Sequence, residues 1–179
     1  YYTVHHIIVM SGLFMAAGLI QRLGGARGLD RLGSLYVREP WVAILFFVVA
    51  MSLAGVPPLS GFWPKVILVQ ASLAIDAYIV AAAALVTGLL TLYSMAKVWA
   101  LAFWREAPGE QPAAIHGMLP DPAPGGRQFG LLVAPVAALA ALSLAIGLWA
   151  QPLLTVAERA ADELMTPDAY VAAVLGGEG

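Results

Sequence analysis

The sequence predicts an all-α, polytopic membrane helix bundle of about four crossings, one of them made by a discontinuous helix. Three observations carry this. First, 61% of the 179 residues are hydrophobic and 11% are charged, with a mean hydropathy of +0.83; soluble domains average about 45–50% apolar and about 25% charged. So few charged side chains cannot cover a water-soluble domain, and the excess apolar surface must face lipid or partner subunits. Second, the apolar residues gather into runs approaching or exceeding the ~20 that a helix needs to cross a ~30 Å hydrocarbon core. Third, one of these runs is interrupted by Gly55-Val56-Pro57-Pro58 and again by Pro64, which a continuous helix does not tolerate.

Residues 1–21 form the first expected transmembrane helix. Tyr1 to Ile20 contains no acid or formal cation, and Gln21-Arg22 with Gly24-Gly25 supplies a stop. Tyr1-Tyr2-Thr3-Val4 resembles neither an initiator methionine nor the start of a signal peptide, so the chain reads as part of a longer protein. Residues 22–40 form an Arg-rich loop, with Arg22, Arg27, Arg31 and Arg38 against Asp30 and Glu39. Residues 41–75 form the discontinuous helix, broken near 55–64. Asp76 falls in the following turn, expected as a solvated helix cap. Residues 77–104 form a second long helix that carries Tyr93 and Lys97. Residues 105–127 are rich in Pro and Gly and read as an irregular surface loop. Residues 128–150 form an Ala- and Leu-rich helix. The tail, 151–179, mixes Glu158, Arg159, Asp162 and Glu163 with apolar residues, which suggests a short amphipathic surface helix and a frayed end. Thr87, Gly88, Ser94, Gly130 and Gly147 are expected at helix-packing positions.

If residues 41–75 cross the bilayer once, both Arg-bearing loops share one side, and the positive-inside rule makes that side cytoplasmic and the C-terminus external. A complete hairpin over 41–75 would instead put Arg105 and Arg127 opposite the first Arg cluster.

Several function classes have no support. The formal net charge of −2, with nine Lys and Arg spread along the chain, argues against nucleic acid. The absence of cysteine removes disulfides, thiolate metal sites and a Cys nucleophile. His116 lies in a distant loop, and no carboxylate has ligand spacing, so no metal is expected. No Ser-His-Asp set, phosphate-binding Gly loop or paired carboxylate occurs, and no repeat of a solenoid period is present. No cofactor is implied, and no catalytic chemistry of the chain's own is expected.

The chemistry concentrates at the break. Pro57-Pro58 removes two backbone donors, and irregular backbone at membrane depth survives only against protein or beside water. Ser60, Gly61 and Pro64 resemble the entry to a second half-helix, with the hydroxyl as cap and the proline early in the first turn. Lys65 sits in that turn, with about 24 Å of apolar helix before the break and about 15 Å after it. Desolvation and the positive end of its own half-helix both disfavour the ammonium, which favours release of its proton. An intramembrane cation marks a proton or ion path by default; the plainer alternative is a lysine snorkelling to the interface. His5 and His6 point about 100° apart on a helix, so only one lines a given path. His6 shares a face with Tyr2, Met10, Phe14 and Ala17, and His5 with Val9 and Gly12. Either suits a proton relay, or serves as a hydrogen bond between helices. Lys97 lies within snorkelling reach of the cytoplasmic end, with Tyr93 one turn before it.

The segment Ser52-Leu-Ala-Gly-Val-Pro-Pro-Leu-Ser-Gly-Phe-Trp-Pro-Lys65 resembles the broken-helix signature of the antiporter-like proton-translocating subunits. These occur in Mrp-type multisubunit cation/proton antiporters and in the membrane arm of respiratory complex I. Tyr1-Tyr-Thr-Val-His-His-Ile-Ile-Val-Met-Ser-Gly-Leu-Phe14 resembles the family's histidine-bearing helix, and Leu92-Tyr-Ser-Met-Ala-Lys-Val-Trp99 followed by Ala102-Phe-Trp resembles the D-type Mrp subunit more than its complex I relatives. The resemblance covers about the first 105 residues. It implies that Lys65 is the broken-helix lysine and that His5 or His6 belongs to a central polar axis. Many relatives carry a lysine where this chain has Met10, which cannot ionise, so a histidine or bound water would bridge there. The resemblance further implies partners of the Mrp A, B, C, E, F and G types, and proton flux coupled to Na⁺ or K⁺. The alternatives are a proton-pumping subunit of a redox-driven complex, complex I or a membrane-bound hydrogenase, and a structural membrane scaffold.

Overall fold

The computed structural model describes residues 1–25, 28–106 and 126–166, with the side chains of 126–128 excepted. His116, most of the Pro/Gly-rich loop and the end of the tail lie outside the described residues. All regular elements among those described are helical, and the protein is an all-α membrane helix bundle.

Helix α1 (Tyr2–Gly24) stops where Gly25 turns left-handed (φ 66°) and donates its N–H to Gln21 O. His5, Val9, Gly12, Ala16 and Leu19 are buried along it, a spacing that puts them on one stripe facing the bundle. The same spacing rotates His6 to the flank of that stripe. A 3-10 turn (Leu29–Arg31) and the short α2 (Leu35–Arg38) lead to α3 (Pro40–Ala54), which Pro40 opens. Helix α4 (Phe62–Ala74) follows the break, and α5 (Tyr78–Trp99) continues through a π-helical turn, Ala100–Trp104. Helix α6 (Gly126–Leu148) and the exposed, acidic α7 (Gln151–Met165) complete the described chain.

Three helical spans, Tyr2–Gly24, Tyr78–Trp104 and Phe129–Leu148, are long and apolar enough to cross a bilayer; α3 and α4, at 15 and 13 residues, are individually shorter. Helix α1 packs against α3 and α6, and α5 runs along both α3 and α4. At one end of α5, Trp99 Nε1 donates to Ala43 O (3.3 Å) and its ring meets Phe47. In the middle, Gly88 lies against Lys65 and Ala54 O. The two half-helices therefore follow one another along α5 instead of lying side by side. The apolar core, with Phe46, Phe103, Leu35, Val42 and Val136 among its members, gathers where α3 and α6 meet the end of α5.

Arg105 ties that end together. One of its terminal nitrogens donates to the carbonyls of Leu29 (2.9 Å), Asp30 (2.7 Å) and Leu32 (3.1 Å), while Ser34 N–H donates to Arg105 O (2.7 Å). The Arg-bearing loop after α1 and the chain leaving α5 thus share one end of the bundle.

One local expectation fails, and a second is met within this chain at only some of its positions. Asp76 does not cap α5: it takes a left-handed conformation (φ 56°), its carboxylate accepts the Tyr78 hydroxyl (2.7 Å), and Ala77 occupies the cap position. Among the small residues, Gly88 and Gly147 are packing positions, but Gly130 has open space around it and Thr87 and Ser94 are exposed.

Candidate functional site at the helix break

The end of α3 is a Schellman turn. Gly55, left-handed at φ 87°, donates to Ser52 O (3.0 Å), and Val56 donates to Met51 O (3.1 Å). Leu59 N–H to Val56 O and Phe62 N–H to Leu59 O, both 3.1 Å, carry the chain through to α4. Pro64 is buried in the first turn of α4, where its missing N–H costs no helical bond.

The carbonyls of Leu53 and Ala54, left over in the last turn of α3, accept hydrogen bonds from Lys65 Nζ, the former at 3.2 Å. From sequence alone Lys65 meets only the positive end of its own half-helix. The structure corrects this: a side chain in the first turn of a helix points back toward that helix's N-terminus, and here it crosses the break to the negative end of α3. Free carbonyls and dipole both favour a cation there. Backbone carbonyls are among the partners that intramembrane cations take. Lys65 is half-buried and borders a groove of about 490 Å³ whose lining includes Gly55, Phe62, Gln70, Ala84 and Gly88.

The other side of the break is closed. Ser52 (α3), Ser60 (break) and Ser143 (α6) form a triangle of hydroxyls, with Oγ–Oγ distances of 3.1 Å (Ser52–Ser60), 2.7 Å (Ser52–Ser143) and 2.9 Å (Ser60–Ser143). His5 Nδ1 lies 2.8 Å from Ser60 Oγ. The three serines are 0% exposed and His5 is 3% exposed.

Ser60 is therefore not the helix cap expected of it. Gly61 occupies the cap position and no side chain caps α4, because the Ser60 hydroxyl is engaged with Ser52 and Ser143. Gly61 is needed for contact: a Cβ there would overlap Ser52 O and sit 2.9 Å from His5 Cε1. Gly147 does the same for α6, since its Cβ would overlap Pro58 O, while Trp63 Nε1 donates to Gly147 O (2.8 Å) and pins the break to that helix.

Of the two histidines the structure brings only His5 to the hydroxyl cluster. His6 stacks on Tyr2 (ring centroids 5.5 Å apart), and its buried Nδ1 has no partner among the described residues. Met10 is half-buried on the His6 side. Tyr93 and Lys97 are exposed on α5 and do not line the Lys65 groove. Pro57 and Pro58 are exposed on the outer turn of the break. Among the described residues no group of three or more His, Cys, Asp or Glu is placed to hold a metal ion.

Sequence reasoning missed Ser52 and Ser143 as site residues. The available signal was a lone hydroxyl within an apolar run, which at Ser143 stands among Ala and Leu. Chemically, the site combines a cation on backbone carbonyls, a buried imidazole and three hydroxyls around one thin stretch of backbone.

A bundle of apolar helices, one of them interrupted, defines a multi-pass membrane protein with a polar site at a helix break. Residues 1–91, just over half of the chain, match the family described as NADH:quinone oxidoreductase/Mrp antiporter, TM, and the chain belongs to that family. It is 40% identical over 175 residues to the D-type subunit of the Na⁺/H⁺ antiporter of Alkalihalophilus pseudofirmus, covering 98% of this chain and 33% of that protein. It is 34% identical over 175 residues to the D-type subunit of the Na⁺/H⁺ antiporter of Bacillus subtilis, with the same coverage. Among solved structures, one chain of the Mrp complex from Dietzia sp. DQ12-45-1b matches with a TM-score of 0.81 and 39% identity, covering 98% of this chain and 39% of that one. The chain spans about a third of the length of the curated relatives it matches.

Proposed function

We propose that this chain is part of a D-type subunit of a multisubunit Mrp antiporter and carries protons along a path that includes Lys65 and His5. The proton flux drives Na⁺ or K⁺ export by the assembled complex, alongside subunits of the A, B, C, E, F and G types. One observation carries the reading: the helix break holds a half-buried ammonium on one side and a buried imidazole on the other, separated by Gly55–Gly61. Groups that gain and lose protons in a membrane protein mark proton paths. The names of the relatives favour antiport over a redox-driven pump.

On this reading residues 41–75 cross the bacterial plasma membrane once, as a broken helix. The Arg105 clamp onto the 29–32 loop supports a shared, cytoplasmic side for both Arg-bearing loops, with the C-terminus outside. The alkali cation travels elsewhere in the complex, because hard cations want clustered oxygen ligands and α1, α3, α4, α5 and α6 carry no carboxylate.

The test is Lys65→Ala in the complete complex, with Na⁺-dependent ΔpH measured in everted vesicles and assembly followed in parallel. Transport is expected to be abolished in assembled complex; transport at the parental rate would remove Lys65 from the mechanism.

A further inference from the structure

We infer that the three buried serines act as positioning residues that hold His5 in a single tautomer, with the proton on Nδ1, so that Nε2 is its proton-accepting atom. The inference rests on a proton inventory. The cluster contains four contacts: three edges of the hydroxyl triangle and the His5–Ser60 link. Each contact needs one hydrogen between its two heavy atoms, and each serine supplies one. Three hydroxyl hydrogens run head to tail around the triangle and fill its edges, leaving none for the fourth contact. That hydrogen must come from His5 Nδ1, which then donates to Ser60 Oγ. With Nδ1 bare, one of the four contacts would set two lone pairs face to face in a site without solvent exposure, the costly case of an unsatisfied buried polar group.

The surroundings leave Nε2 as the free position. Among the described residues it has no hydrogen-bond partner, and the neighbouring Cε1 faces Gly61 at the break. The titratable groups near the imidazole are Tyr1, one turn before it, with Tyr2 and His6 on the same helix, and Lys65 on α4; α3 and the described side chains of α6 contribute none. A proton reaching His5 adds to the Nε2 lone pair, gives the imidazolium, and leaves from the same nitrogen. The Nδ1 hydrogen stays on Nδ1, donated to Ser60 Oγ, so the triangle takes up no net proton. His5 thus exchanges protons through Nε2, while Nδ1 is held by the neutral hydroxyls. The tautomer follows from the cluster alone; its bearing on transport rests on the proton-path reading proposed above.

Opening the triangle undoes the bias. In Ser143→Ala two contacts remain, Ser52–Ser60 and Ser60–His5. Two serine hydrogens now suffice when Nδ1 is bare, so both tautomers are satisfied. The experiment is nitrogen-15 NMR of the histidine-labelled complete complex, with His5 assigned by difference against His5→Gln. The expected result is one neutral Nδ1–H form in the parental protein, a tautomer mixture in Ser143→Ala, and a return to one form in Ser143→Thr, which restores a hydroxyl. Ser52→Ala opens the same triangle from α3 and serves if Ser143→Ala does not assemble. An Nε2–H form in the parental complex, or an unchanged His5 signal in the opened variants, overturns the inference. Na⁺-dependent ΔpH measured on the same samples separates the two levels: a tautomer change with unaltered transport retains the inference and removes His5 from the path, whereas a several-fold fall rescued by threonine supports both.

Discussion

The two sides of the helix break satisfy the same problem by opposite means. Toward α1 and α6 the break is closed by neutral groups, Ser52, Ser60, Ser143 and His5, all buried and joined in one hydrogen-bonded cluster. Toward α5 it is closed by one charge, Lys65, whose flexible stem spans the gap to two carbonyls and borders an open groove. The closed side depends on shape, since four groups on α1, α3, α6 and the break must meet at fixed distances. The open side depends on a charge that several geometries satisfy, because three rotatable donors on a long side chain can follow the carbonyls. A break built this way has one wall fixed by packed, mutually bonded groups and another held by a single long side chain.

That contrast can be broken most severely from the closed side. Gly61→Ala puts a methyl group onto Ser52 O and toward His5; backbone cannot yield as a side-chain tip does, so destabilisation of at least about 1–3 kcal/mol is expected. The measurement is the thermal midpoint and assembled yield of the solubilised complex, and a parental midpoint would mean that the closed side is less tightly specified than its contacts imply. At the other extreme, Gly130→Ala sharpens the comparison by touching neither wall. It meets open space within α6, so stability should change little or rise by about 0.5–1 kcal/mol from helix propensity alone. A fall comparable to that of Gly61→Ala would show that glycine loss in general, not the break, controls stability.

The break itself is legible in the sequence because Pro57-Pro58 between two apolar runs has few physical interpretations in a membrane. Helical spacing also separates the His5 face from the His6 face, but spacing cannot say which face meets the bundle; that requires α3 and α6 to be in place. The direction of Lys65 is not legible locally, because its own half-helix offers only a positive end, whereas the stabilising carbonyls belong to α3. Ser143 is invisible as a site residue for a similar reason: its hydrogen-bonding partners Ser52 and Ser60 lie 91 and 83 residues away, and a single hydroxyl in an apolar helix is common packing glue. Asp76 departs from its expected capping role because its left-handed backbone and the nearby Tyr78 hydroxyl compete with capping.

The central claim is that Lys65 releases and regains a proton at the break in addition to capping α3, and Lys65→Arg in the complete complex tests it most directly. A guanidinium supplies enough donors to hold the carbonyls of Leu53 and Ala54 but does not give up its proton at any working pH. The account predicts an assembled complex of near-parental thermal stability that has lost Na⁺-dependent ΔpH in everted vesicles. Parental transport by Lys65→Arg would contradict it and reduce Lys65 to a helix cap.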